Sequence, residues 1–329
     1  MPSEPSAPPM HGERNAQVTP TPSAQRSSDD LASTQAVASA STVAELLAQA
    51  RRAGVDRLDA QLLLGRLLQQ PRAWLIAHDD HALDATQAED FMAQLAERAR
   101  GIPLAYLLGE REFHGLTLQV TPDVLVPRPD TEVLVNWALE LLAQDDRAAG
   151  ANSPGAPATV ADLGTGSGAI ALALKHAWPA AQVCAVERSP AALAVARANG
   201  QHLGLAVEWL EGDWFTPLAD RRFNLIVSNP PYIDGADAHL AALHAEPIEA
   251  LTPGPDGLVA LRGLAREAPS HLQPCGWLLL EHGHDQGAEV RSLLQDAGLE
   301  QVQTRRDLAG HERCTAGRLG PGSTAQTRG

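Results

Sequence analysis

One segment of this chain restricts the possible folds more than any other. In residues 160–172 a short apolar run ends at Asp162, three glycines follow at alternate positions, and a helical pattern begins at Ala169. Glycine allows the backbone to turn tightly and to approach a ligand closely, and the start of a helix presents unpaired N–H groups. The segment therefore predicts a strand, a ligand-binding turn and a helix in succession.

The next apolar run, residues 183–186, ends in Glu187. A carboxylate at the end of the second strand is suited to hold the two hydroxyls of a ribose. Together the two segments predict a cofactor that contains a nucleoside. Because residues 164–169 also fit the dinucleotide pattern G-x-G-x-x-A, the glycines alone leave a dinucleotide and S-adenosylmethionine both open.

The C-terminal part of the chain alternates between strand and helix patterns, which predicts a parallel sheet with helices on both faces. Strands are predicted near residues 159–163, 182–187, 206–210, 223–228 and 276–281. Ligands bind such sheets beyond the carboxyl ends of the strands. Four polar residues fall at or just past such ends and are therefore expected to surround one site: Asp162, Glu187, Asp213 and Asn229.

The N-terminal part is organised differently. Residues 1–40 are rich in Ser, Pro, Ala and Thr and predict a disordered tail, and residues 320–329 are predicted to be a loose tail. Residues 41–111 contain three amphipathic helix patterns, the first opened by the capping-box spacing of Thr42 and Glu45, and predict a small helical bundle. Residues 112–128 alternate apolar and polar side chains and predict a hairpin linker, with Thr121-Pro122-Asp123 between its strands.

The string Asn229-Pro230-Pro231-Tyr232 follows the predicted strand 223–228. The Asn side-chain oxygen and the Pro230 carbonyl can both accept hydrogen bonds from one amino group. The two prolines restrict the backbone, and the Tyr ring can stack on a flat group. An ordinary turn is the alternative interpretation. Combined with a nucleoside site, the string favours methyl transfer to nitrogen, because hydride transfer has no use for an amino-group clamp.

Composition narrows the partners and the compartment. The net charge of −15 argues against a protein that follows a phosphate backbone. Three widely spaced cysteines indicate a reduced, cytoplasmic setting and no metal site. No apolar run approaches the roughly 18 residues of a membrane span. We expect a cytoplasmic monomer that binds neither membrane nor nucleic acid.

The two motifs together resemble amino-methyltransferases that use S-adenosylmethionine. The remaining chain is similar to the protein-(glutamine-N5) methyltransferase family, in residues 100–109 (RGIPLAYLLG) and 124–132 (VLVPRPDTE). Within the family, Arg-Pro-Asp-Thr-Glu is similar to the members that act on peptide chain release factors. The resemblance extends over about residues 43–319. Its implied fold is an α/β, Rossmann-like methyltransferase sheet at 129–319, with a small N-terminal helical substrate-binding domain joined by a β-hairpin.

The resemblance also implies two late strands near residues 299–305 and 312–318, the last one antiparallel. It implies catalytic roles for Asn229, Pro230 and Tyr232, which with Pro231 hold the substrate. The cofactor S-adenosylmethionine is expected to be bound by ten residues: Asp162, Gly164, Thr165, Gly166, Ser167, Gly168, Glu187, Asp213, Trp214 and Asn229. Arg128 and Glu132 either structure the domain junction or face the substrate.

The implied activity is methyl transfer to the side-chain nitrogen of a glutamine, in the Gly-Gly-Gln loop that release factors use in translation termination. Three alternatives stay open at this point. The first is the same chemistry on a ribosomal protein. The second is adenine N6-methylation of nucleic acid, and the third is an adaptor that binds the cofactor or a partner without turnover.

Overall fold

The structure is a computed structural model that describes residues 41–149 and 157–322. The predicted tail of residues 1–40, and residues 323–329 of the predicted C-terminal tail, lie outside the described residues.

From residue 41 onward, five helices precede the first described strand, and they include the three that the sequence predicts. Capping boxes at Thr42 and Asp84 open two of them. The largest side chains between the helices, among them Leu46, Leu63 and Phe91, are buried. The two helices that the sequence did not reveal have five and six residues, too few to show a helical period. The bounds are α1 Val43–Arg52, α2 Arg57–Leu68, α3 Arg72–Ala77, α4 Ala85–Ala99 and α5 Leu104–Leu108.

A two-stranded hairpin follows, and it lies earlier in the chain than predicted. Strands β1 (Glu110–Phe113) and β2 (Leu116–Gln119) pair antiparallel. The turn is formed by His114 and Gly115 at φ of 50° and 78°, the positive values that two-residue hairpin turns require. Residues 121–124 do form a turn, closed by a hydrogen bond from the Val124 N–H to the Thr121 carbonyl at 3.1 Å. The prediction that this turn lies between the paired strands is wrong. The apolar alternation continues past residue 119 because Val120, Val124 and Val126 are buried in a small cluster with Ala105, without pairing as a strand.

The central sheet of the described chain has seven strands in the order β5-β4-β3-β6-β7-β9-β8. All neighbours are parallel except that β9 runs antiparallel to β7 and to β8, which confirms the expected antiparallel last strand. The bounds are β3 Thr159–Leu163, β4 Gln182–Glu187, β5 Glu208–Glu211, β6 Phe223–Ser228, β7 Leu272–Glu281, β8 Leu299–Arg306 and β9 Glu312–Leu319.

Helices cover both faces of this sheet. Side chains alternate between the faces along each strand, so that Val160 lies in one buried cluster with α6 and α7, and Ala161 in a second with α10 and α11. The fold class is therefore α/β, Rossmann-like, as expected. The bounds are α6 Glu132–Ala149, α7 Ala169–Ala177, α8 Pro190–Leu203, α9 Ile248–Leu251, α10 Val259–His271 and α11 Gly287–Asp296.

Chain order reverses at β3, because β4 and β5 lie on one side of it while β6 and β7 lie on the other. At such a switch point the loops after neighbouring strands leave in opposite directions and open a crevice at their carboxyl ends. Asp162, Glu187 and Asn229 fall at or just after the ends of β3, β4 and β6. The topology alone therefore brings these three residues to one edge of the sheet.

Replacing a single side chain tests the core of the helical part. Phe91 is fully buried, whereas the neighbouring Met92 is 36% exposed on the same helix. Phe91→Ala leaves a cavity and should lower the free energy of unfolding by about 3–5 kcal/mol. Met92→Ala should change it by less than about 0.5 kcal/mol. Urea denaturation followed by circular dichroism measures both, and equal effects would contradict the packing described here.

Candidate active site

A cavity of about 920 Å³ opens at the carboxyl ends of β3, β4 and β6. Most of the predicted site residues line it: Gly164, Thr165, Gly166, Ser167, Glu187, Asp213, Trp214, Asn229 and Pro231. Four others do not line it: Asp162, Gly168, Pro230 and Tyr232. The structure thus collects residues from four separate segments, as strand-end topology requires.

The Trp214 ring forms one flat wall of the cavity, next to the glycine turn (residues 164–168). Gly164 has φ of +73°, and a Cβ placed on it would lie 3.1 Å from Cζ3 of Trp214. Trp214 itself adopts a positive φ of 47°, which turns its indole over the glycine. Only a residue without a side chain lets the ring approach so closely while the backbone is left-handed.

Asp162 organises the glycine turn from below. The side chain is fully buried, and its Oδ2 accepts hydrogen bonds from the Thr165 hydroxyl at 2.5 Å and the Ala171 N–H at 3.1 Å. Burial raises the pKa of Asp162 to about 7, and these two hydrogen bonds oppose the rise. Its other oxygen, Oδ1, is buried and has no hydrogen-bond partner among the described residues. The carboxylate therefore joins the start of the turn to the first turn of α7.

Glu187 connects two loops at the cavity wall. Its Oε2 accepts from the Gly166 N–H and its Oε1 from the Ser189 N–H, both at 2.9 Å. Each carboxylate oxygen can accept a second hydrogen bond. Glu187 is only partly buried, so it retains accepting capacity toward the cavity after holding the backbone.

Asn199 is a structural residue that sequence reasoning missed. It lies fully buried on α8, and its Nδ2 donates to the Ser167 carbonyl at 2.9 Å and to the Gln119 carbonyl at 3.0 Å. Its Oδ1 accepts from the Gln119 N–H at 2.7 Å. The Asn199 side chain therefore connects the glycine turn to the hairpin by hydrogen bonds. The sequence around Asn199 has only a helical pattern, which does not indicate such a contact.

Asn229 is oriented by a threonine that was not predicted. Its Nδ2 donates to Oγ1 of Thr131 at 3.2 Å, and no described residue donates to its Oδ1. Thr131 is 4% exposed and ends the short 3-10 turn Pro129–Thr131 before α6. The amide oxygen of Asn229 therefore accepts no hydrogen bond from the described residues and is available at the cavity wall. Thr131 belongs to the Arg-Pro-Asp-Thr-Glu string, which was the available signal.

Tyr232 contacts a second buried carboxylate. Its hydroxyl donates to Oε1 of Glu281, the last residue of β7, at 3.3 Å. Burial raises the pKa of Tyr232, and burial raises the pKa of Glu281 to about 7. Glu281 was also missed, although it ends a predicted parallel strand and the rule that selected Asp162 and Glu187 applies to it equally.

The structure shows different surroundings for Arg128 and Glu132, the two residues at the domain junction whose roles the sequence left open. Arg128 lines the cavity and forms a hydrogen-bonded ion pair with Glu246, whose other oxygen accepts from the Val126 N–H at 3.1 Å. Glu132 instead accepts from the His114 N–H at 3.3 Å and is absent from the described cavity wall. Arg128 therefore faces the site, and Glu132 stabilises the hairpin turn.

Two further properties concern the described residues as a whole. No helix in residues 41–149 or 157–322 combines the length and the apolar character that crossing a bilayer requires. Within the same ranges, no three residues among His, Cys, Asp and Glu come together in a way that could hold a metal ion.

Comparison with known families matches both parts of the chain. The model of the PrmC N-terminal domain matches residues 41–109, and the model of the Methyltransferase small domain matches residues 151–254. The second match contains the glycine turn and the Asn-Pro-Pro-Tyr string, and the first contains the five helices.

Similar proteins are found along almost the whole described chain. The release factor glutamine methyltransferase of Xylella fastidiosa (strain Temecula1) is 50% identical over 283 residues, which are 84% of this chain and 98% of that protein. The protein of the same name from Bordetella pertussis is 49% identical over 269 residues, 81% of this chain and 96% of its own. These relatives therefore share both the helical part and the sheet.

Among solved structures, the hMettl16 catalytic domain in complex with MAT2A 3'UTR hairpin 6 superimposes with a TM-score of 0.51. The match covers 71% of this chain and 84% of that one at 15% identity. At this identity the likeness shows the fold alone.

The buried Asp162 makes a prediction about stability and pH. Its pKa of about 7 lies above the ordinary 3.8, so between these values the folded protein binds a proton that the unfolded chain releases. This contribution to stability is complete below the lower value and is lost as the pH rises through the higher one. Asp162→Asn should therefore reduce the loss of unfolding free energy between about pH 4 and pH 7.

Urea denaturation across this pH range measures the change. Asp90→Asn, at an exposed position of α4, is the matched control and should keep the wild-type slope. An Asp162→Asn slope equal to that of wild type would show that the carboxylate is ionised throughout.

Proposed function

The chain belongs to the release factor glutamine methyltransferase family, and on this premise we propose that it methylates a glutamine side chain of peptide chain release factors, with S-adenosylmethionine as cofactor. The observation that carries the proposal is the free amide oxygen of Asn229 on the wall of a cavity that also contains the glycine turn and Glu187. An acceptor for an amide N–H thus lies in the same cavity as the residues that we propose to hold the nucleoside.

The residues of the cavity fit S-adenosylmethionine, which supplies, when bound, an electrophilic methyl group on a sulfonium sulfur. The space above Gly166 is open, because a Cβ placed there would have no neighbour within 4 Å. Gly164 and Gly166 would hold the methionine half. Glu187 retains lone pairs for the ribose hydroxyls, and the Trp214 ring offers a flat face for the adenine, with Asp213 beside it.

The substrate glutamine must be positioned by the protein, because its amide is a poor nucleophile whose nitrogen lone pair is delocalised into the carbonyl. Two hydrogen-bond acceptors of the protein, one for each N–H of this amide, would raise the electron density on the nitrogen and fix the direction in which it faces the methyl group. We assign Oδ1 of Asn229, on the cavity wall, to one of these two positions. The carbonyl of Pro230 as the second stays a prediction, because Pro230 does not line the cavity. When the nucleophilic nitrogen and the methyl carbon are held in line, proximity and orientation can supply a large share of the reduction in the activation barrier.

Pro231 and Tyr232 complete the proposed clamp. Pro231 lines the cavity and restricts the backbone next to the acceptor carbonyl. Stacking of Tyr232 on the amide plane stays a prediction, because its ring does not line the cavity and its hydroxyl is engaged by Glu281.

The wider setting is part of the proposal. We propose that the helical part, residues 41–111, helps to hold the protein substrate, while residues 129–319 carry the chemistry and the hairpin segment joins them. A monomer acting in the cytoplasm, where release factors meet the ribosome, suits this role. The net charge of −15 disfavours direct binding to a nucleic acid, since that relies on a basic surface.

Mass spectrometry tests the proposed activity directly. The protein, S-adenosylmethionine and one of three substrates (a release factor, a ribosomal protein or DNA) are incubated together. We expect a gain of one CH2 on the glutamine of the Gly-Gly-Gln loop and none elsewhere. Methylation of either other substrate, or of none, would contradict the proposal.

A substitution at Asn229 tests the clamp. Asn229→Ala removes one of two acceptors and should lower the methylation rate by about 100-fold, because the amide is no longer aligned. Binding of the cofactor, measured by calorimetry, should be weakened much less. Asn136→Ala, at an exposed position near the hairpin, should keep the wild-type rate. An Asn229→Ala enzyme with that rate would refute the assigned role.

A pair of glycine substitutions tests the cofactor site. Gly164 and Gly204 have φ of +73° and +65°, but only at Gly164 would a Cβ meet another group, the Trp214 ring. Each Gly→Ala change should cost about 1–2 kcal/mol in backbone strain. Only Gly164→Ala should also weaken binding of S-adenosylmethionine by about tenfold or more, a loss of roughly 1.4 kcal/mol. Equal affinities in calorimetry would place the cofactor elsewhere.

A further inference from the structure

A glutamine to which the proposed reaction gives no role so far holds the C-terminal end of the Asn-Pro-Pro-Tyr string. Nε2 of Gln286 donates a hydrogen bond to the backbone carbonyl of Tyr232 at 3.0 Å, although the two residues are 54 positions apart. Oε1 of the same side chain accepts from the Gly283 N–H at 2.8 Å. Gln286 thus connects the string after β6 to the loop after β7.

These two contacts define the orientation of the Gln286 amide. The Gly283 N–H can only donate and therefore requires the amide oxygen, whereas the Tyr232 carbonyl can only accept and therefore requires the NH2 group. Exchanging the two ends of the amide would lose both hydrogen bonds. The side chain is therefore a bridge with one defined direction.

The place of Gln286 before a helix also indicates a tertiary role. It is the residue that precedes α11, a position where Ser, Thr, Asp or Asn are preferred because their short side chains cap the helix. The Gln286 side chain makes no such cap hydrogen bond. Both of its polar ends instead bind backbone groups outside α11.

A buried glycine in the loop before α10 packs directly on this bridge. A Cβ placed on Gly257 would overlap the Tyr232 carbonyl oxygen and would lie 2.9 Å from Nε2 of Gln286. The backbone of Gly257 therefore lies against the hydrogen bond between these two groups. A hydrogen bond shielded from water in this way is stronger than an exposed one.

The loop that contains Gly283 is itself attached to the sheet. Nδ1 of the fully buried His282 lies 2.8 Å from the Gly283 carbonyl, which can only accept, so Nδ1 carries the proton. Nε2 of His282 lies 2.8 Å from Oγ1 of Thr315 on β9. Thr315 lies 2.9 Å from the hydroxyl of Thr304 on β8, to which Arg291 donates at 2.8 Å. Gln286 therefore connects the string to a network that is held by β8 and β9.

The Asn-Pro-Pro-Tyr string needs a restraint at each end. Pro230 and Pro231 limit φ at two positions and have no backbone N–H through which they could be held. At the N-terminal end, the Ser228 hydroxyl donates to the Leu163 carbonyl at 2.6 Å, which connects β6 to β3. A second restraint at the Tyr232 carbonyl limits the backbone rotations that remain between the two ends.

We propose that Gln286 is a positioning residue of the methyl transfer, which holds the Tyr232 carbonyl so that the string keeps the Asn229 amide oxygen directed at the substrate glutamine. The proposal rests on the function proposed above and adds to it a residue that is absent from the described cavity wall. Because Gln286 acts on the direction of the substrate, its loss should lower kcat and leave cofactor binding nearly unchanged.

Hydrogen exchange of the whole protein, followed by nuclear magnetic resonance, tests the bridge without catalysis. Gln286→Met keeps the length of the side chain but lacks both polar ends. The Gly283 N–H then has no acceptor, and the Ile233 N–H, which bonds to the Leu251 carbonyl at 3.0 Å directly after the string, is held less firmly. Both should exchange about fivefold faster. Gln295→Met, at an exposed position of α11, is the matched control and should leave both rates unchanged.

Kinetics with a release factor as substrate test the consequence for the reaction. Gln286→Met should lower kcat by about tenfold, because the amide of the substrate is less well aligned. The KM for S-adenosylmethionine should stay within about twofold of the wild-type value. Gln295→Met should keep the wild-type value of both constants.

A second substitution separates the two contacts of the bridge. In Gln286→Glu at about pH 8 the carboxylate is ionised, so it still accepts from the Gly283 N–H but cannot donate to the Tyr232 carbonyl. Its kcat should be as low as that of Gln286→Met, while the Gly283 N–H exchanges as slowly as in the wild type.

Gly257→Ala disturbs the same hydrogen bond from the opposite side. The added methyl group displaces the Tyr232 carbonyl or the Gln286 NH2, and kcat should fall by a similar factor. Combining Gly257→Ala with Gln286→Met should cause little further loss, because both substitutions act on one contact.

Three results would overturn the proposal. The first is a wild-type kcat in Gln286→Met. The second is a wild-type kcat in Gln286→Glu, since Gln286 would then hold only its own loop. The third is unchanged exchange of the Ile233 N–H in Gln286→Met. Failure of the wild type to methylate a release factor would count against the proposed function alone, because the exchange measurement needs no substrate.

Discussion

The parallel pairing of β3 with both β4 and β6 is the constraint on which the rest of the structure depends. It sets Leu163 opposite Val186 and Asp162 opposite Val227, so the three strands end at the same level. The glycine turn, Glu187 and Asn229, which all line the cavity, are attached to these three ends. Because each strand buries side chains on both faces, the register is fixed by two cores at once, and the cavity inherits that rigidity.

Two buried carboxylates beneath the cavity have parallel tasks. Asp162, the second-last residue of β3, organises the glycine turn that would hold the cofactor. Glu281 ends β7 and accepts a hydrogen bond from Tyr232 of the string that would hold the substrate. In each, one oxygen accepts a hydrogen bond and the other has no partner within residues 41–149 and 157–322. Burial raises the pKa of each carboxyl group to about 7. Burying a carboxyl group with an unpaired oxygen lowers the stability of the fold. In return, the hydrogen bonds of Asp162 hold a turn whose residues have unusual, positive φ values.

The elements of the sheet were predictable because alternation of apolar runs and helical periods is a local property. The predicted bounds of β3, β4 and β6 agree with the structure. The contact of Asn229 with Thr131 was not predictable, since the two are 98 positions apart and meet only through tertiary packing. The prediction placed the hairpin turn too late in the chain. Val124 and Val126 are buried in a loop, and their spacing gives the same alternation of apolar and polar residues as a strand.

The central claim is that an amide oxygen of Asn229 and a methyl donor face one another across a single cavity. A crystal structure of the protein with S-adenosylhomocysteine and a glutamine-containing peptide tests it most directly. The account predicts the peptide amide between the Asn229 oxygen and the cofactor sulfur, with the Asn229 NH2 still on Thr131. A structure in which residues 229–232 turn away from the sulfur would contradict it.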